Sequence, residues 1–401
     1  MFKKGVLFIK LLLSIIFFTS LLFLLSGCWD RVEVNDLAIV TAAAIDNKEK
    51  NIEISLQIFI PKSISSGGQG GGGGGGASGN PVTMVVSQSG INLADALSKL
   101  QADLPRKIFW GQCKVFIFGE KRAKEGILDE LDFLLRQPEP RERSYVFVSK
   151  GKAKEILELQ PNLERDSADT IKEIVEFDSG IKVTLKDLDE MLNGDAQTAI
   201  LPYLKIATEK IKKKSYPYPK ITGSAIFKKD KMIGDISVKE TRGILWLRNE
   251  IKNYTVTIEG KNRKGILSIY PVTAKVDLTP YIRGENWIMK IKIETEGTVI
   301  QNNTNFNLAN PNDLKLVEKA LTDEIKKRIE LVLPKIQNEL EADVVGFAKK
   351  FHRKYPKQWN KVSQHWDEVF PNIKLNYDFK GHIRREGYIT KPTKLTVEEG
   401  D

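Results

Sequence analysis

Asn310 to Arg353 reads NPNDLKLVEKALTDEIKKRIELVLPKIQNELEADVVGFAKKFHR. Asn310 is a helix-capping residue, and Pro311 suits a first helical turn. Leu314, Val317, Leu321, Ile325, Ile329, Val332, Ile336, Leu340, Val344, Phe347 and Phe351 then recur every three or four residues. That spacing predicts one long helix with a continuous apolar stripe, which must lie on a sheet or on another helix. Pro334 removes a donor and crowds the preceding turn, so a kink is expected there. The sheet to receive the stripe is at hand: Tyr254–Glu259, Gly265–Leu278 and Trp287–Ile300 read as strands, and Ile373–Ile383 as a closing strand. Ile325, Ile329 and Ile336 are expected at the centre of that core.

The stretch upstream has a different rhythm. Leu37–Ala44 and Ile52–Ile60 read as strands, turning at Asp46-Asn47-Lys48. Pro81–Ser87 reads as another strand. Asn92 caps a helix ending at Pro105, and a strand over Lys107–Glu120 follows. A helix over Ala123–Arg136, a strand at Tyr145–Val148 and a short helix at Lys152–Leu159 come next. Asp166–Asn193 is mainly helical, with Thr184 and Asp187 spaced as a capping box. Strands alternating with helices indicate mixed α/β structure. Between them, SSGGQGGGGGGGASGN (residues 65–80) is too rich in glycine to order cheaply and reads as a flexible loop. It lacks the Gly-Lys-Ser/Thr of a phosphate-binding loop.

The expected class is therefore α+β: mixed α/β domains, with a C-terminal antiparallel-rich sheet packed by one long kinked helix. Residues 28–208 form the N-terminal α/β part. Residues 209–219, basic and proline-bearing, are expected as a linker, though a membrane contact is a second reading of that run. Residues 220–389 form the C-terminal α+β domain, opened by a hairpin at Thr222–Phe227 and Lys231–Ile236 and a helix over Glu240–Ile251. Residues 390–401 read as a loose tail.

The first 27 residues stand apart. Lys3, Lys4 and Lys10 precede Leu11–Gly27, which carries no charge, and the run ends in Leu25-Ser26-Gly27-Cys28. A basic start, an apolar run and small residues before a break mark an export signal. Leu-Ser-Gly-Cys resembles the lipobox of bacterial lipoproteins. That resemblance implies cleavage before Cys28, with S-diacylglycerol and N-palmitoyl attachment at that residue. The other reading of the segment is an uncleaved transmembrane anchor.

The chain has 401 residues, 41% hydrophobic and 28% charged, with a formal net charge of +10. Such a composition is that of an ordinary globular protein. A positive balance often marks nucleic-acid binding, but an exported, lipid-anchored chain does not meet nucleic acid. The balance fits weak attraction to an anionic lipid surface or acidic wall polymer, or plain solubility. The second cysteine, Cys113, has no partner once Cys28 is lipidated, and reads as a buried inert thiol.

No catalytic constellation emerges. The three histidines, His352, His365 and His382, do not form HExxH, and no nucleophile elbow or nucleotide fingerprint stands in context. His352 reads as a capping or surface residue. Paired acids such as Glu339 and Glu341, or Asp187 and Asp189, read as solvated helix faces. Trp246, Trp287, Trp359 and Trp366 read as core or rim anchors. The chain is therefore expected not to be an enzyme and to need no cofactor or metal.

Four stretches carry a family resemblance. They are GCWDRVEVNDLAIV (Gly27–Val40), FGEKRAKEGILDELDFLLRQPEPRER (Phe118–Arg143), GSAIFKKDKMIGDISVKETRGILWLRNEI (Gly223–Ile251) and DVVGFAKKFHRKYPKQW (Asp343–Trp359). In this order they resemble Ger(x)C spore germination lipoproteins, the C subunits of nutrient germinant receptors. Ala42-Ala43-Ala44 departs from the family, where glycine is expected among these residues. The resemblance implies a non-catalytic subunit on the outer face of the spore inner membrane. It would work with a membrane-embedded A subunit and a transporter-like B subunit, triggered by nutrients such as amino acids or sugars. No residue assigns nutrient binding to this chain rather than to another subunit. A free-standing solute-binding lipoprotein is the alternative, but that class has two similar lobes with several crossings. A wall hydrolase would need a catalytic constellation. Lys349, Lys350, Arg353 and Lys354 surround Phe347 and Phe351, and this charged rim, rather than the phenylalanine pair, is expected to face the partner subunits.

Overall fold

The computed structural model describes residues 33–60, 82–160, 164–177, 180–211, 214–252, 254–260 and 264–385, together with 5, 10–17 and 19. Cys28, the glycine-rich loop 65–80 and the tail 390–401 lie outside the described residues. No helix among the described residues is long and apolar enough to cross a membrane.

The N-terminal sheet contains Leu37–Lys48 (β1), Asn51–Phe59 (β2), Thr83–Gly90 (β3), Lys107–Phe109 (β4), Val115–Gly119 (β5), Tyr145–Ser149 (β6), Thr198–Ile211 (β7), Lys214–Lys228 (β8) and Lys231–Ser237 (β9). Its order is β3-β2-β1-β5-β6-β7-β8-β9, with β4 also on β1. The strands from β1 through β5 and β6 to β7 run parallel, and the flanking pairs are antiparallel. Alternation decides what each face buries. Ala42, Ala44, Val115, Ile117 and Phe147 point to one side, where Ala153–Leu157 (α4) and Ser167–Glu176 (α5) cover them. Ala43, Ile45, Phe116, Phe118, Val146 and Val148 point to the other. There they meet Leu93–Asp103 (α1), Glu120–Glu125 (α2), Leu128–Arg136 (α3), Leu185–Leu192 (α6) and Val238–Leu247 (α7). The alanine triplet is fully buried, with Ala42 and Ala44 sharing the α4 side with Ala153 and Ile156 and Ala43 facing the other side.

Several expectations change in detail. Asp46, Asn47 and Lys48 remain in β1, and the reversal falls on Glu49-Lys50, with Glu49 at φ 57°. A two-residue hairpin turn needs positive φ, which explains its position. The strand around Cys113 is two strands, β4 and β5, with Cys113 buried between them. The helix over Ala123–Arg136 is two helices broken at Gly126, φ 128°. The described part of residues 209–219, expected as a linker, is paired strand. It pairs across β7 and β8, from Glu209↔Tyr216 to Ile211↔Lys214 and on to Ile206↔Pro219. Accordingly β8 and β9, expected to open the C-terminal domain, complete the N-terminal sheet.

The second sheet is Val256–Glu259 (β10), Ile266–Arg283 (β11), Asn286–Asn302 (β12) and Lys374–Arg385 (β13), in that order. The first two pairings are antiparallel, and β13 joins β12 in parallel. A parallel return needs a long crossover, and helices supply it here. Pro311–Pro334 (α8) is capped by the Asn310 side chain, which accepts from Asn312 N–H at 2.9 Å. Beyond Pro334 one π turn follows over Lys335–Glu339, closed by Leu340 N–H on the Lys335 carbonyl at 2.9 Å. Proline's missing donor makes this the place for such irregularity.

The expected single helix to Arg353 then stops. Glu341 lies at φ 48° and Gly346 at φ 80°, conformations a helix cannot contain. A new helix, Phe347–Lys354 (α9), begins where the Asp343 carboxylate accepts Phe347 N–H at 3.0 Å and Ala348 N–H at 2.6 Å. Trp366 Nε1 donates to the same carboxylate at 3.1 Å. Pro356–Val362 (α10) and Trp366–Val369 (α11) lead into β13.

Helix α8 lies between the sheets. Val317, Leu321, Ile325, Ile329, Val332 and Ile336 are all buried in a core continuous with both. Its other neighbour is α7, where Gly243 sits so close that a Cβ would stand 2.4 Å from the Arg328 carbonyl oxygen and 2.8 Å from Val332 Cγ1.

Ile329 is completely buried. Ile329→Ala should lower the unfolding free energy by about 2–5 kcal/mol, read from urea midpoints. A loss below about 0.5 kcal/mol, the level of surface substitutions, would show that α8 is not the core element described.

Burial pushes the Asp343 carboxyl above its ordinary value, against the pull of its N–H donors. An acid raised on folding stabilises through its protonated form. That contribution is complete below about pH 4 and is lost as pH rises through the folded value. The stability of wild type relative to Asp343→Asn should therefore fall with rising pH across this window. A relative stability that grows with pH would mean that the ionised carboxylate holds the start of α9.

Candidate functional site

Helix α9 has two unlike faces. Phe347, Ala348 and Phe351 are buried, whereas Lys349, Arg353 and Lys354 are exposed and Lys350 is half-buried. The spacing Phe347-Phe351 places both rings on one side of the helix. Phe351 lies 4.7 Å from Trp287 and 5.8 Å from Trp366, ring to ring, and Phe347 lies 5.8 Å from Phe370. Trp359 joins through Trp366 at 5.0 Å. The rings are tilted or edge-on, arrangements that suit aromatic quadrupoles. The phenylalanine pair therefore belongs to an internal aromatic box, and the outward chemistry of α9 is its cationic edge. Trp246, Trp359 and Trp366 are buried and Trp287 is half-buried, as anchors should be.

This edge stands at the junction of the two sheets. His352 Nδ1 is 2.8 Å from Asp195 Oδ1, in the segment entering β7. The His352 ring also stacks on Trp359 at 5.4 Å, so it is neither a cap nor a free surface residue. Thr198 Oγ1 donates to the Asp343 carbonyl at 2.9 Å, and Arg248 to the Val344 carbonyl at 3.2 Å. Lys228, at the end of β8, lies 3.0 Å from Asp367. These contacts tie α9 and its flanks to the N-terminal sheet.

The four cations are not equivalent. Lys354 Nζ donates to the Pro280 carbonyl at 2.9 Å and stands 4.3 Å from the Tyr281 ring centroid. It is thus engaged within the fold. Lys349 and Lys350 line a cleft of about 500 Å³ between the two halves. Opposite them are Asp187, Glu190 and Asp195, with Arg248 and Glu250 alongside. Arg353 is exposed and makes no ion pair among the described residues.

Candidate catalytic groups are accounted for as structure. Among the described residues no group of three His, Cys, Asp or Glu could hold a metal ion. Burial pushes the Cys113 thiol up to about 12, which leaves it protonated at neutral pH. Asp46 accepts the Ala153 and Lys154 N–H groups at 2.8 and 2.9 Å, fixing the start of α4. Glu130 is buried 3.4 Å from Arg122 Nε. Burial raises both carboxyls. Asp187 closes the capping box with Thr184, and Asp189 accepts from Asn193 at 2.7 Å.

Sequence reasoning placed the basic edge but missed the Asp195–His352 pair, the Lys228–Asp367 pair and the cap at Asp343. Only the last leaves a local signal, an acid three residues before a glycine that opens a helix. The two pairs join residues more than a hundred positions apart.

Comparison with known proteins identifies the fold. Residues 30–206 match the family described as Spore germination protein N-terminal domain, and residues 222–387 match Spore germination B3/GerAC like, C-terminal. The chain is 29% identical to Spore germination protein KC of Bacillus subtilis, over 98% of each chain. It is 26% identical to Spore germination protein YndF of the same organism, over 92% of this chain and 95% of that one. The solved structure of the GerBC protein superposes with a TM-score of 0.56 at 20% identity, covering 86% of this chain and 97% of that one. Both halves of the chain thus fall in one family over nearly their whole length, and the protein belongs to the GerAC-like spore germination proteins.

Proposed function

We propose that the chain is the lipid-anchored, non-catalytic C subunit of a nutrient germinant receptor. It is held on the outer face of the spore inner membrane through Cys28, beside membrane-embedded A and B subunits. The observation that carries this reading is the tandem family match, 30–206 then 222–387, in one chain whose relatives are spore germination proteins. The leader ending in Leu25-Ser26-Gly27-Cys28 supports the anchor. Two lipid chains hold a protein stably where one does not. The side chains that bury or pair most of the acids and the one described thiol support a binding role rather than a chemical one.

Within the complex, Lys349, Lys350 and Arg353 are the surface offered to acidic groups of the A and B subunits. Lys354 contributes by holding α9 on β11. Charges at an interface rim steer association and set specificity.

Cys28→Ala should leave the precursor unlipidated and uncut at the normal site, with the protein lost from purified spore membranes. Mass spectrometry finding the unmodified leader still joined to Cys28 in the wild-type protein would exclude the anchor. Lys349→Glu, Lys350→Glu and Arg353→Glu combined should leave the thermal midpoint within a few degrees of wild type, because surface changes typically alter stability by less than about 0.5 kcal/mol. The same variant should recover less A and B subunit on affinity purification and slow nutrient-triggered germination. Full recovery and normal germination would exclude this surface.

A further inference from the structure

The longest departure from the N-terminal sheet is its basic hairpin. On one side β6 stops pairing with β7 at Ser149↔Leu204. On the other, β9 stops pairing with β8 at Gly223↔Ser237. Yet β7 and β8 remain paired with each other out to Ile211↔Lys214. From Lys205↔Lys220 outward, no strand among the described residues pairs with either edge of the ribbon.

Its composition is one-sided. Among the described residues of the ribbon, Lys205, Lys210, Lys214 and Lys220 stand against a single acid, Glu209. Lys205, Lys210 and Lys220 are exposed, as is Tyr218, with Tyr216 half-buried. A free edge of this kind ordinarily invites a strand from another chain, and here that is opposed. The β7–β8 ladder is unbroken past Pro217 and Pro219, so their two missing N–H groups belong to the outer edge of β8. The outer edge of β7 carries Lys205, Glu209 and Lys210. Proline and lysine are the residues that blunt an edge against strand addition.

What remains is a cluster of cations with tyrosines. Clustered lysines near a bilayer bind anionic headgroups, and tyrosine rings favour the headgroup level. We propose that the β7–β8 ribbon is a membrane arm that lies on an anionic lipid surface. The proposal rests on the anchor reading above, which brings the chain to a bilayer. It also fixes an orientation. The arm leaves the sheet at the C-terminal ends of the parallel strands, opposite to Leu37. Residues 28–36 span at most about 30 Å. For both the arm and Cys28 to reach one bilayer, the strands of the N-terminal sheet must lie along the membrane rather than stand on it.

The test uses the full lipidated chain in vesicles of phosphatidylcholine alone, or with phosphatidylglycerol added. An environment-sensitive fluorophore is placed at Tyr218→Cys, Cys113 being buried. In vesicles with phosphatidylglycerol the emission should shift to the blue, be quenched by brominated acyl chains and revert in high salt. In phosphatidylcholine alone it should stay that of a water-exposed probe. Lys205→Glu, Lys210→Glu and Lys220→Glu together should abolish the shift, each lost lysine weakening surface partition by about fivefold. Equal emission on both vesicles, or a shift insensitive to salt, would overturn the arm. Flotation separates the two readings. Flotation with phosphatidylglycerol vesicles only would refute the anchor while supporting the arm, and flotation with neither would refute both.

Discussion

The crossing of α7 and α8 is the contact on which the rest of the structure depends. Gly243 leaves no room for even a methyl group before the Arg328 carbonyl and Val332. Glycine inside a helix sacrifices about 1 kcal/mol of helical propensity relative to alanine. Here that loss is exchanged for close approach of two helices that belong to different sheets. Helix α7 covers the N-terminal sheet with Ile244, Leu245 and Trp246, while α8 covers the second sheet with Leu321, Ile325 and Ile329. Lys335 and Glu240, 3.7 Å apart, add an ion pair at the same junction. The two halves that match separate family descriptions thus share one core.

The junction also explains why the basic edge stands where it does. Pro334 ends the regular ladder of α8, and the chain must turn before it can re-enter the second sheet as β13. Asp343 organises that turn by gathering two backbone donors and the Trp366 indole. Helix α9 is thereby held with its rings inward. Its lysines fall beside Asp195 and Glu190 of the N-terminal half, which makes the cleft a meeting of opposite charges.

Much of this was legible in the residues. The period of the stripe identified α8 and its core positions, and the two-residue alternation identified most strands. The family resemblance was carried by stretches that run in order from Gly27 to Trp359. Other features were not legible, for physical reasons. The apolar period continues through Leu340 and Val344 although the helix has stopped, because those side chains still reach the core from a turn. Lys and Pro in 209–219 carry the composition of a linker, yet a free edge tolerates both. The pairing of β13 with β12 is fixed by the path of the crossover helices, and a strand's own sequence does not name its partner. The pairs Asp195–His352 and Lys228–Asp367 depend on the same distant placement.

Scanning calorimetry of the intact chain tests the shared core most directly. One cooperative transition is predicted, with the calorimetric enthalpy equal to the van't Hoff enthalpy, because neither sheet can expose its share of α7 and α8 alone. Two resolved transitions in the wild-type protein would contradict the account, since the halves would then fold as separate domains that merely touch.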